Sequence, residues 1–258
     1  MNSSTNKGRR GISLLIVVML ILLATTPSAL AKGGAGADPK VLPPHSHAYG
    51  ATYSEWSARW WQWVYSLPTS TNGVDTHPFL VEGAVDCSYG QSGKVWYLVG
   101  KFGFLDPNTG QLIAKANRSC SVPTGTALFF PILNAEADDI GPDGQPLGFS
   151  VEALRAWAKD NMDATTYMYA EIDGRVIANP ARYRVQSPIF TLTLPENNLY
   201  QFFGYDQVHA GTYSPAVADG VFLMLAPLSV GKHTIVVRGE NPGFKLDVRY
   251  DIRVTPHR

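Results

Sequence analysis

Between Phe244 and Val254 apolar and charged residues alternate without a break: Phe244, Leu246, Val248, Tyr250, Ile252 and Val254 are separated by Lys245, Asp247, Arg249, Asp251 and Arg253. A period of two predicts a β-strand with one face in a core and the other in water. A different period runs through TYSEWSARWWQWVYSLP, residues 52 to 68. Advancing as a helix, Tyr53, Trp56, Trp60, Trp63, Val64 and Leu67 fall within an arc of about 100°. Thr52 and Glu55 have capping-box spacing and Pro68 ends the pattern, so a helix burying one face is predicted here. Glu55, Ala58, Arg59, Gln62 and Ser66 lie opposite, with Glu55 and Arg59 spaced to pair. Trp61 and Tyr65 sit off the stripe, four residues apart, where their rings can stack on each other.

Elsewhere the signals are shorter. KVWYLVG (94–100) and ALFFPIL (127–133) are compact apolar runs expected as strands, and Pro131 makes the end of the second an edge or a bulge. Ser150 caps a predicted second helix to about Asn161, with Val151, Leu154, Trp157 and Ala158 at helical spacing. Asp173-Gly174 supplies the positive φ angles of a tight hairpin. GVFLMLAPL and KHTIVVRG, around a tight turn, complete the strands. Many short strands and two helices predict a mainly β chain: one β-sandwich, jelly-roll-like or immunoglobulin-like, decorated by two helices over residues 49–258. Residues 32–48, rich in Gly, Ala and Pro without periodicity, are expected to be a flexible lead-in.

The first 31 residues have a different purpose. Lys7, Arg9 and Arg10 precede the apolar run Ile12–Ala24, and Ala29-Leu30-Ala31 has the form of a cleavage site, so residues 1–31 read as a signal peptide. The run is 13 residues long, short of the roughly 20 that span a bilayer. A secreted or periplasmic protein with no membrane span after cleavage is expected. Removing the three cations of the leader from 21 leaves 18 against 21 acidic groups, a net charge of −3. That balance offers no electrostatic footprint for nucleic acid. Cys87 and Cys120 are the only cysteines; in an oxidising compartment they are expected to form one disulfide. No metal set or cofactor motif is evident.

Four segments together, EWSARWWQWVYSLP, CSYGQSGKVWYLVG, RSCSVPTGTALFFPILN and DGVFLMLAPLSVGKHTI, resemble an uncharacterised family of secreted bacterial proteins. The resemblance spans about residues 49 to 234. It implies an exported protein with a cysteine in each of two linked motifs, and it carries no catalytic residue or ligand.

Candidate chemistry therefore comes from the residues. NAEADDIGPDG (134–144) gathers Glu136, Asp138, Asp139 and Asp143, carboxylates that suit Ca²⁺ or an acid/base pair for glycoside cleavage. The spacing fails the EF-hand template, and the structural alternative is a solvated acidic turn. His209, near Tyr205, Asp206, Tyr213 and Asp219, is a candidate acid or base. His45 and His47 are too few to hold a metal without further ligands. Trp61 and Tyr65 are the rings that the core does not claim, and so the candidate platform for a sugar. The expected function is a secreted non-enzymatic β-sandwich that binds a polysaccharide or other envelope component, or is structural. The alternatives are an exported carbohydrate-active hydrolase or lyase, and a subunit that docks its aromatic helix on a protein partner.

Overall fold

Residues 40–256 are described by a computed structural model; the leader at 1–31 and the first part of the lead-in lie outside them. Helix α1 (Tyr53–Tyr65) begins with the expected capping box, Glu55 N–H donating to Thr52 Oγ1 at 3.2 Å and Thr52 N–H to Glu55 Oε2 at 2.7 Å. The whole predicted stripe, Tyr53, Trp56, Trp60, Trp63, Val64 and Leu67, is buried. Trp60 Nε1 donates to Leu98 O and Trp56 Nε1 to Ala48 O, each at 2.9 Å, so the indole N–H groups keep partners while the rings leave water. The opposite face differs from expectation. Ala58 is buried against Phe190 and Leu192 and Ser57 is also covered, which leaves Glu55, Arg59 and Ser66 in solvent. Arg59 lies over the Trp56 ring, 4.7 Å from its centroid.

Short strands follow: β1 (Ser70–Thr71), β2 (Val74–Asp75), β3 (Gly83–Ala84), β4 (Val95–Tyr97) and β5 (Phe104–Leu105). The longer β6 (Leu112–Pro123) and β7 (Ala127–Asp138) precede α2 (Val151–Asp163). Next come β8 (Tyr167–Ile172), β9 (Arg175–Val176), β10 (Arg184–Gln186), β11 (Phe190–Leu194) and a third, unforeseen helix α3 (Leu199–Phe202) capped by Asn198 and Gln201. The chain closes with β12 (Gly211–Leu225), β13 (Gly231–Asn241) and β14 (Phe244–Thr255).

These strands make a mainly β sandwich, 42% strand and 17% helical. One large sheet runs β10-β12-β7-β4, with β11 also on β12; the second runs β3-β6-β14-β13-β8-β9, with β5 on β6; β1 and β2 pair as a separate small ribbon. Most pairs are antiparallel, while β6 with β14, β3 with β6 and β4 with β7 are parallel. β12 and β13, expected on either side of one turn, belong to different sheets, so 226–230 carries the chain between layers. The Asp173-Gly174 turn is present, with φ of 52° and 78°.

Coverage explains why some strands alternate and others do not. In β14 the even positions from Leu246 to Val254 are buried against one layer. β7 and β12 are covered on both faces. Phe129 and Phe222 meet Trp56 and Trp60 of α1, whereas the Leu133 side chain lies so close to Gly239 of β13 that a Cβ there would meet it at 2.3 Å. A strand with two dry faces reads as an unbroken apolar run. Pro131 lies at the expected bulge: Phe222 pairs with Pro131 and Val221 with Leu133, leaving Ile132 unmatched.

α2 is capped by Ser150 as predicted. It buries Leu154, Ala158 and Met162, but Trp157, expected among its core residues, is exposed. The lead-in is also tied down in its second half: Leu42 N–H donates to Met224 O and Ala226 N–H to Lys40 O, at 2.8 and 2.9 Å. Cys87 and Cys120 are bonded, their Cα atoms 5.7 Å apart. Beside them Arg118, 2% exposed on β6, donates to the carbonyls of Pro78, Val81, Val99 and Gly100 and to Tyr250 Oη. Among the described residues no helix is long and apolar enough to cross a membrane.

Candidate functional site

Asn134, Glu136 and Asp138 alternate along the second half of β7, so their side chains leave one face of the strand. Facing them are Trp61 and Tyr65 of α1 and Tyr200 of α3. Tyr65 Oη donates to Glu136 Oε2 at 3.0 Å, Tyr200 Oη donates to Asp138 Oδ2, and Ile140 N–H donates to Asp138 Oδ1 at 2.7 Å. The rings form a continuous stack: Trp61 on Tyr65 at 5.6 Å between centroids, then Tyr65 on Tyr200 at 5.6 Å. The candidate rings Trp61 and Tyr65 thus meet two of the four candidate acid/base residues, Glu136 and Asp138, but not Asp139 or His209.

The electrostatics follow from enclosure. Burial pushes the Glu136 carboxyl well above the usual carboxylate range and the neighbouring Asp138 charge pushes it further, against a lowering contribution from the Tyr65 hydroxyl. Asp138 is raised by burial and held back by the hydrogen bonds from Tyr200 and Ile140. Tyr65 and Tyr200 are raised by burial and by the adjacent carboxylates. Three atoms of this row are shielded from solvent without a hydrogen-bond partner: Glu136 Oε1, Trp61 Nε1 and Asn134 Nδ2.

Several expectations change accordingly. Glu136 and Asp138 belong to a strand between layers, not to a solvated acidic turn. Trp61 and Tyr65, expected as open flat rings, are half-buried and Tyr200 covers the far side of Tyr65. Asp139 is turned away from the pair: its Oδ1 accepts the Phe149 N–H at 2.7 Å and its carbonyl the Leu147 N–H at 3.0 Å, fixing the approach to α2. His209 is exposed before β12, and its ring makes no hydrogen bond or ion pair with the acids. Among the described residues no group of three or more His, Cys, Asp or Glu could hold a metal ion. Asn134 and Tyr200 were missed. Asn134 reads as the end of an apolar run, and Tyr200 lies on a one-turn helix too short to show a period.

On the other face of β7 the chain forms a cleft of about 330 Å³ between the strand and α2, lined by Glu136, Ala137, Asp138, Phe149, Leu154 and Trp157. Ala137 packs with Leu154 and Ala158 on this side. Trp157 is 55% exposed and Phe149 53%; of the six tryptophans Trp157 alone is exposed. No family model, curated protein or solved structure matches the chain.

Proposed function

We propose that this protein is an exported, non-enzymatic β-sandwich that binds a polysaccharide or related envelope component in the cleft between β7 and α2. The observation that carries the reading is Trp157. A large ring held 55% exposed beside the equally open Phe149 is costly to leave in water and suits stacking on the apolar face of a sugar. The cleft volume, about 330 Å³, is at the lower end of the ~300–1,000 Å³ range of ligand pockets. Export rests on the leader at residues 1–31 alone.

Co-sedimentation with insoluble polysaccharides, including isolated cell-wall sacculi, tests this. Trp157→Ala is expected to lose at least about tenfold in affinity, the weight of a well-packed aromatic contact, with an unchanged melting temperature. Wild-type protein that binds none of the polymers, or a variant that binds as well as wild type, defeats the proposal.

A second reading, an exported hydrolase or lyase, is favoured by the buried carboxyls Glu136 and Asp138, which face Tyr65 and Tyr200 on the α1 side of β7, opposite that cleft. Reducing-end release from the polymers, abolished in Glu136→Gln, would establish this second reading in place of the first.

A further inference from the structure

Another cleft, of about 520 Å³, lies between the start of α1 and the turn that leads into β4, lined by Tyr49, Trp56, Arg59, Ser92, Lys94 and Tyr97. It shares no lining residue with the cleft at α2, and the described residues that line it include no Asp or Glu. Arg59 and Lys94 are exposed. The Arg59 guanidinium rests over the Trp56 ring, 4.7 Å from its centroid, and resting on an indole spends none of its five N–H donors. Among the described residues Arg59 makes no side-chain hydrogen bond or ion pair, and neither does the Lys94 ammonium. Glu55, one turn back on α1, is committed to the capping box, its Oε2 accepting from Thr52 N–H and Oγ1 at 2.7 and 2.9 Å. Tyr97 Oη has no hydrogen-bond partner among the described residues, yet it is not sealed from solvent. Tyr49 is held at φ 57°, a left-handed conformation that bulky residues adopt rarely and that clusters at ligand sites.

Two cations with no acid beside them in the cleft, on a chain whose formal net charge is zero, make a local positive field that draws an anion. A guanidinium matches the two-oxygen edge of a carboxylate or phosphate, and an ammonium adds a point charge that suits either. The indole beneath Arg59 fixes the guanidinium in advance, so less side-chain freedom is lost on binding. The volume is within the ~300–1,000 Å³ range of ligand pockets. We infer that this cleft binds a small ligand bearing a carboxylate or phosphate group, which accepts from Arg59, Lys94 and the Tyr97 hydroxyl, with a ring-shaped body against Tyr49.

The test is a titration of the ¹⁵N-labelled protein with glucuronate, glucose 6-phosphate and, as the uncharged match in shape, glucose, followed through the Trp56 indole signal and the Gly93 amide. A saturable shift with either anion below about 20 mM, none with glucose, and weakening between about 50 and 500 mM salt are expected; a response to only one of the anions names the source of the oxyanion. Arg59→Gln and Lys94→Gln are each expected to weaken binding about fivefold to tenfold, the weight of one charge-assisted hydrogen bond at an open site. No saturable shift with either anion, an equal response to glucose, indifference to salt, or wild-type affinity in either variant would each overturn the inference. Both substituted side chains are exposed, and the wild-type titration stands by itself if a variant fails to fold. Trp157→Ala is expected to leave these titrations unchanged, so this site and the polysaccharide cleft at α2 fail independently.

Discussion

Glu136→Gln removes a carboxyl that this fold buries at electrostatic cost. Glu136 as a residue is only half-buried, but its Oε1 has no contact with solvent, and it is the carboxyl that titrates. In the unfolded chain a glutamate loses its proton near pH 4.3; in the fold burial holds the proton to well above that value. Between the two, the folded state binds more protons than the unfolded one, so stability falls as pH rises, by up to about 1.4 kcal/mol per pH unit, and levels off once Glu136 ionises in the fold. Glutamine keeps an acceptor for Tyr65 and has no proton to lose. The two proteins should therefore be equal within about 1 kcal/mol near pH 4, after which the variant gains progressively. His77 acts in the opposite sense. It is buried neutral, its pKa pushed down to about 4 mainly by burial, so its contribution is lost as pH falls from about 6.5 toward that value. Both proteins contain it, and it cancels in their difference. The assay is urea unfolding of each protein from pH 4 to 9, plotted as the difference in unfolding free energy. A difference independent of pH, or one that favours wild type as pH rises, refutes the assigned burial. Tyr65→Phe, which removes a hydrogen bond that lowers the Glu136 pKa, should carry the falling limb to higher pH.

Two further predictions concern the frame around the site. Arg118→Met leaves four backbone carbonyls without the donor that the structure gives them; a loss of about 3–5 kcal/mol is expected, as for breaking other buried charged networks. At about 2–4 °C per kcal/mol for a domain of this size that is a drop of about 6–20 °C in melting temperature, and a variant within a degree or two of wild type would show the network to be dispensable. Cys87→Ser with Cys120→Ser, or reduction, opens a link across 33 residues and is expected to cost about 3–4 kcal/mol through unfolded-state entropy; denaturant melts with and without reductant measure it, and coincident melts would contradict it.

Local rules decided part of this molecule. The capping box of α1, its buried stripe, the alternation of β14 and the Asp173-Gly174 turn each depend on neighbours within a few residues, so they are written along the chain and appear where predicted. What lies opposite a side chain is not written there. Glu136 and Asp138 sit in a segment whose composition suits an exposed turn, and only its pairing with Val217 and its neighbours on β12, together with the crossing of α1 above, makes it a buried polar row. Trp157 has core spacing along α2, yet the helix turns Leu154, Ala158 and Met162 into the core and leaves Trp157 outside it. Arg118 occupies an inward position of β6 because carbonyls from two distant loops converge on it. Burial is set by long-range pairing between layers. That is why periodicity located the helix and the strands, while the tertiary structure alone brought the rings and the acids together.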